Sequence, residues 1–187
     1  MTASFSPLNE KHISTDKGRI VVWKSQNFKE IRLKVCKKEL ERTEVILMLN
    51  HLGYEIQHLF YKESGQPFLG DDYHENISIS HSNGWFAIYL SHEPVGIDIE
   101  VYHPRLPEGK HYFLNDAEML NFSSLPHLQV IWGAKEALYK KHEGNFEDLR
   151  IEVTTESVAH NHINLICKGQ TETLRFQKFA SLYLVYT

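Results

Sequence analysis

Four short runs of strand-forming residues close this 187-residue chain: Leu149–Thr154, Asn161–Cys167, Glu172–Phe179 and Leu182–Tyr186. Turn residues separate them. The clearest helix pattern comes just before, with Pro126 at its start and its end near His142. Further upstream, Arg19–Trp23, Ile77–Ser80, Gly84–Leu90 and Val95–Glu100 read as strands, and Gln57–Leu69 as a strand leading into a turn at Ser64-Gly65-Gln66-Pro67. Lys29–Leu52 reads as a helix stopped by Gly53. Asn115-Asp116 caps a helical turn through Leu120. Strands clustered between two or three helices predict an α+β fold rather than a parallel βαβ array.

Charge and composition narrow the function classes. Lys and Arg number 20 against 24 Asp and Glu, a formal net charge of −4, which argues against a nucleic-acid-binding surface. The two cysteines, Cys36 and Cys167, exclude a disulfide scaffold and a cysteine-based zinc site, and they suit a reducing, cytoplasmic compartment. No apolar run is long enough to span a membrane. The N-terminal MTASFSPLNEKHIS has no apolar core, so no signal peptide is expected.

Three segments carry residues suited to chemistry. In Val95–Glu100, alternation places Asp98 and Glu100 on one face of a strand, their Cα atoms about 6.5 Å apart, with Ile97 and Ile99 turned into a core. Two such carboxylates repel unless a cation sits between them, and hard oxygen ligands suit Mg²⁺. An edge strand with two solvated acids fits the same pattern. In the helix, Trp132, Glu136 and Lys140 form one stripe at i, i+4, i+8, with Lys135 beside Glu136. Leu128, Ile131, Leu138 and Tyr139 supply the apolar face. A surface Glu–Lys pair is the plain reading of Glu136 and Lys140, and a half-buried carboxylate beside two lysines the functional one. The third segment, Ser80-His81-Ser82, reads as a turn whose histidine and hydroxyls either hold a phosphate or ribose or have no role beyond the turn. It lacks the glycines of a nucleophile elbow.

Taken in this order and spacing, Ser80-His81-Ser82, Gly96–Glu100 and Trp132–Lys140 resemble the signature of the 4′-phosphopantetheinyl transferase superfamily. The resemblance spans about residues 61–145, and the length is similar to the monomeric type that activates surfactin synthetase. It implies two similar halves, 1–93 and 94–187, each a helix on a small antiparallel sheet, with the active site between them. It also implies Mg²⁺-dependent transfer of the phosphopantetheine arm of coenzyme A to a serine of an apo-acyl or peptidyl carrier protein, releasing 3′,5′-ADP. Asp98, Glu100 and Glu136 would then hold Mg²⁺. Glu136 would take the serine proton, directly or through a water, and Lys140 would stabilise the reacting phosphate. Lys135, Ser80 and His81 would bind coenzyme A phosphates or ribose.

Two departures stand out. Where the family often reads Gly-Lys-Pro, this chain reads Gly65-Gln66-Pro67, so one positive contact is missing, and Lys62, three residues before Gly65, is the candidate to replace it. The residues after Lys140 differ by about one position from the family's spacing to the next glycine. Three alternatives follow: a non-catalytic coenzyme A or carrier-binding module, a Mg²⁺-dependent phosphodiesterase, and a histidine-based metal protein using His51, His58, His160 and His162. The basic face Lys29, Arg32, Lys34, Lys37, Lys38, Arg42 is either a solvated helix face or a dock for an acidic carrier.

Overall fold

A computed structural model describes residues 10–26, 28–70, 73–179 and 181–187. Residues 1–9, which carry most of the segment from which the absence of a leader was read, lie outside the described residues. The architecture is α+β with antiparallel sheets. The chain divides into two compact units, Met1–Glu93 and Pro94–Thr187.

In the first unit the strands are β1 (Glu10–Ser14), β2 (Gly18–Lys24), β3 (Leu59–Tyr61), β4 (Pro67–Leu69), β5 (Asn76–Ser82) and β6 (Trp85–Ser91). The main sheet runs β1-β2-β6-β5, and β3 pairs with β4 apart from it. The helices are α1 (Phe28–Arg32) and α2 (Lys37–His51). Leu40, Val45, Met48 and Leu49 of α2 share a core with Val21, Trp23, Phe86, Ile88 and Leu90 of the sheet. Trp23 stacks on Phe86 with ring centroids 5.2 Å apart.

The single helix expected over Lys29–Leu52 is two. After Arg32 the chain tightens, with the Lys34 and Val35 N–H groups donating to the Ile31 carbonyl, and Cys36 is extended at the start of α2. Val35 and Cys36 are weak helix formers and break the run. Strand β1 carries no sequence signal because EKHIS is polar. It exists as the partner of β2, and Thr15 Oγ1 accepts the Gly18 N–H at their turn.

Ser80-His81-Ser82 is not a turn. It ends strand β5, and the turn is Asn83-Gly84. Both of those residues have positive φ, 49° and 85°, and Ser82 pairs with Trp85. This is a two-residue hairpin whose backbone twist matches the strands, which is why Asn-Gly is favoured there.

In the second unit the strands are β7 (Ile97–Val101), β8 (Val153–Val158), β9 (His162–Cys167), β10 (Gln170–Phe179) and β11 (Leu182–Tyr186). They form one sheet in the order β7-β11-β10-β9-β8. The helices are α3 (Asp116–Asn121), α4 (Leu125–Lys141) and α5 (Leu149–Glu152). Leu128, Ile131, Ala134 and Leu138 of α4 pack on Ile163, Leu165, Leu174, Tyr183 and Val185. Tyr139, expected on this apolar face, is partly exposed and stacks on Phe146 instead.

The strand expected over Leu149–Thr154 begins as the helical turn α5. The Asp148 side chain accepts the Arg150 N–H, and Glu152 Oε1 accepts the N–H groups of Glu147 and Asp148. These local bonds outcompete extension until Val153 joins β9.

Candidate functional site

The second unit gathers most of the expected chemistry on the contact between β7 and α4. On β7, Asp98 pairs with Val185 and Glu100 with Tyr183. Val185 and Tyr183 belong to the core beneath α4, so the two acids face the helix with them. Ile97 and Ile99 take the opposite face of the sheet and are fully buried. Asp98 is only 5% exposed, which removes the solvated-acid reading for this residue, while Glu100 is half-buried.

Helix α4 brings its own groups to these acids. Lys140 Nζ donates to Asp98 Oδ1 and to the Ile97 carbonyl, both at 2.9 Å. Burial, and then the negative charge of Asp98, push the Glu136 carboxyl above the usual glutamate range, with Lys140 pulling it partly back. Asp98, Glu136 and Lys140 therefore form one electrostatic cluster, and Glu100 follows on the same face of β7.

Two glycines allow the close approach. A Cβ on Gly96 would lie 1.7 Å from the Ala137 carbonyl oxygen. A Cβ on Gly133 would lie 2.9 Å from Val185 Cγ2 and 3.4 Å from Asp98 Oδ2. The first neighbour is helix backbone and cannot yield, whereas the second is a side-chain methyl that can. Gly96→Ala should push β7 off α4, lower stability by about 1–3 kcal/mol as overpacking does, and carry Asp98 away from Lys140. Gly133→Ala should cost less than half as much. Paired urea titrations check the order, and equal losses would contradict it.

Lys135 does not join the cluster. It is 1% exposed, and its Nζ donates to Glu118 Oε2 and the Phe113 carbonyl, each at 2.8 Å. A phosphate ligand must meet solvent, and this ammonium is enclosed and bonded inside the core. Trp132, at the head of the expected stripe, packs edge-on against Phe113.

Ser80 and His81 also separate. Ile77 and Ile79 of β5 face the α2 core, so alternation puts His81 on that side and Ser80 on the other. Ser80 is buried. His81 lines a cavity of about 510 Å³ inside the first unit. Lys38, Glu41 and Arg42 of α2 supply its charged wall, and Tyr61, Gly65 and Pro67 face them. His81 Nδ1 lies 3.2 Å from Glu41 Oε1. Gln66 is not among the residues lining the cavity although both its neighbours are.

Lys38 and Arg42 are functional candidates that motif reading did not single out, and their signal was the basic face of the second helix. Glu118 had only a capping-box signal: Asn115 accepts the Glu118 N–H, and Glu118 accepts the Asn115 N–H.

The expected Mg²⁺ ligands are all oxygen donors. Asp98 and Glu136 are held close enough in a desolvated place for one charge to raise the pKa of the other, a repulsion that a dication relieves. The donor chemistry therefore fits a hard cation. Among the described residues, no group of three or more His, Cys, Asp or Glu side chains is gathered as a formed metal cage. Of the histidines proposed as ligands, His51 meets Glu10, His58 lies near Glu55, and His162 contacts Asn161. Among the described residues no helix is long and apolar enough to cross a membrane. No protein-family model and no curated protein matches this chain.

Proposed function

We propose that the protein is a 4′-phosphopantetheinyl transferase acting on coenzyme A and the serine of an apo-acyl or peptidyl carrier protein. The observation that carries this reading is the convergence of Asp98, Glu136 and Lys140 from β7 and α4, the two elements bearing the motifs.

In this reading the serine oxygen attacks the phosphorus bearing the pantetheine arm, a new O–P bond forms, and the bond to 3′,5′-ADP breaks. Glu136 accepts the serine proton, and its raised carboxyl pKa makes it a stronger base than an ordinary glutamate. Lys140, anchored on the Ile97 carbonyl, faces the charge that develops on the transferring group. Lys38, Arg42 and His81 line a cavity within the first unit and carry no step of this reading. Asp98, Glu100 and Glu136 would hold Mg²⁺, which would neutralise the pyrophosphate and leaving group. Ser80 and Lys135 have no part in this account.

The test is release of 3′,5′-ADP, followed by chromatography with and without apo-carrier. Release that depends on both Mg²⁺ and carrier supports the transferase. Release without carrier supports the phosphodiesterase, and binding of coenzyme A without release supports the binding module.

The raised Glu136 pKa also predicts a pH dependence. Protons compete with a cation for this carboxylate, so Mn²⁺ affinity should fall on acidification at a higher pH than an ordinary glutamate would set. Asp98→Asn removes the neighbouring charge and should move that midpoint down. Mn²⁺ titrations between about pH 5 and 8 check this, and an unmoved midpoint would contradict it. The chain is further expected to be a monomer at low micromolar concentration, and a stable trimer by light scattering would overturn that.

A further inference from the structure

Lys135 and Glu136 are neighbours on α4, about 100° apart around the helix. Glu136 meets Asp98 on β7, and Lys135 turns into the core. There it meets a fully bonded partner. Glu118 Oε2 accepts from Lys135 Nζ at 2.8 Å and from the Asn115 N–H at 3.0 Å, and Oε1 accepts the Thr155 N–H at 2.6 Å. Lys135 Nζ also donates to the Phe113 carbonyl. One buried ion pair thus ties α4 to the segment before α3, to α3 itself and to β8.

The opposite side of α4 is built differently. It meets β7 and β11 across Gly96 and Gly133, where backbone approaches closely. A glycine presents no side chain to key the helix along the strand. The links from Lys140 to Asp98 and the Ile97 carbonyl cross that side. The Lys140 side chain is 26% exposed where that of Lys135 is 2% exposed, so these links fix the helix less firmly than the enclosed pair does.

We propose that the buried Lys135–Glu118 pair sets the register of α4 and thereby holds Glu136 and Lys140 against Asp98, making Lys135 a positioning residue rather than a phosphate ligand. The inference deepens the transferase reading and rests on it for its catalytic consequence. A slip of one residue along α4 moves Glu136 by about 1.5 Å and turns it by about 100°. Displacements near 1 Å can cost about a hundredfold in rate.

The test is the double variant Lys135→Met with Glu118→Gln. It removes both charges together, so neither is left buried alone, and the amide that replaces the Glu118 carboxylate keeps an acceptor for a backbone N–H. The variant should fold, keep its KM for coenzyme A within about twofold, and lose at least about tenfold in kcat. Its Mn²⁺ affinity, read by electron paramagnetic resonance, should weaken in parallel. A folded variant with wild-type kcat and Mn²⁺ affinity overturns the proposal. If the wild type proves inactive, the transferase reading fails by itself. The register is then judged from crystal structures of both proteins: an unchanged Lys140–Asp98 contact overturns it, and a displaced one supports it. Should the double variant not fold, Lys135→Arg is judged by the same criteria, since it keeps the charge pair but not the length and geometry that would set the register.

Discussion

Glu136→Gln should lower kcat/KM by at least about a hundredfold, about 2.7 kcal/mol of transition-state stabilisation, while leaving the protein at least as stable as the wild type. The two halves of this result come from one cause. Burial, joined by the charge of Asp98, raises the folded-state pKa of Glu136 above its unfolded value. The folded protein therefore holds a proton that the unfolded chain has released over the window between the two values. Stability from this group is present below the unfolded pKa and is lost as pH rises through the folded pKa. Above the folded pKa the ionised carboxylate is a cost to the fold, and an isosteric amide removes it. The same substitution removes the proton acceptor and one oxygen of the cation set. Thermal melts and steady-state rates on the same sample check both halves. A destabilised variant with an intact rate would show that Glu136 serves packing and not chemistry. Asp98→Ala and Glu100→Ala should show rate losses of similar size.

Glu118→Ala should be among the most destabilising single substitutions in the second unit, by about 3–5 kcal/mol, because it strands the Lys135 ammonium in the core. For a chain of this length that corresponds to a fall of about 10 °C in Tm. Lys135 already stands below the usual lysine range because burial disfavours its charge, and Glu118 is the group that pulls it back. The same change removes half of the α3 capping box and the acceptor for the Thr155 N–H. The exposed pair Arg105–Glu108, whose side chains are 76% and 68% accessible, provides the contrast. Glu108→Ala should shift stability by less than about 1 kcal/mol. Chemical denaturation of the two variants side by side measures the difference, and equal effects would refute the structural role of Glu118.

The elements that the sequence predicted well are those with strong local signals. Asn115 and Pro126 marked the starts of α3 and α4, and short runs of strand-forming residues marked β5, β6 and β11 within a residue or two. Strand β1 and the helical turn α5 were not legible, because the first depends on pairing with β2 and the second on side-chain bonds from Asp148 and Glu152. At the site, periodicity placed Asp98 with Glu100 and Glu136 with Lys140. It could not tell which lysine of α4 faces the acids, since Lys135 and Lys140 differ in what lies opposite them, and that is tertiary. Ser80 and His81 likewise look like a unit in one dimension but alternate to opposite faces once β5 extends through Ser82. The partners of the basic residues on α2 come from β3, β4 and β5, so the cavity around Lys38 and Arg42 had no motif of its own.

The central claim is tested most directly by weighing a carrier protein. Apo-carrier is incubated with this protein, coenzyme A and Mg²⁺, and its intact mass is measured. The account predicts a gain of one phosphopantetheine arm on a single serine, absent without Mg²⁺ and absent with Glu136→Gln. An unchanged carrier mass across fatty-acid, polyketide and peptide-synthetase carriers, with the folded wild-type protein and saturating coenzyme A, would contradict it.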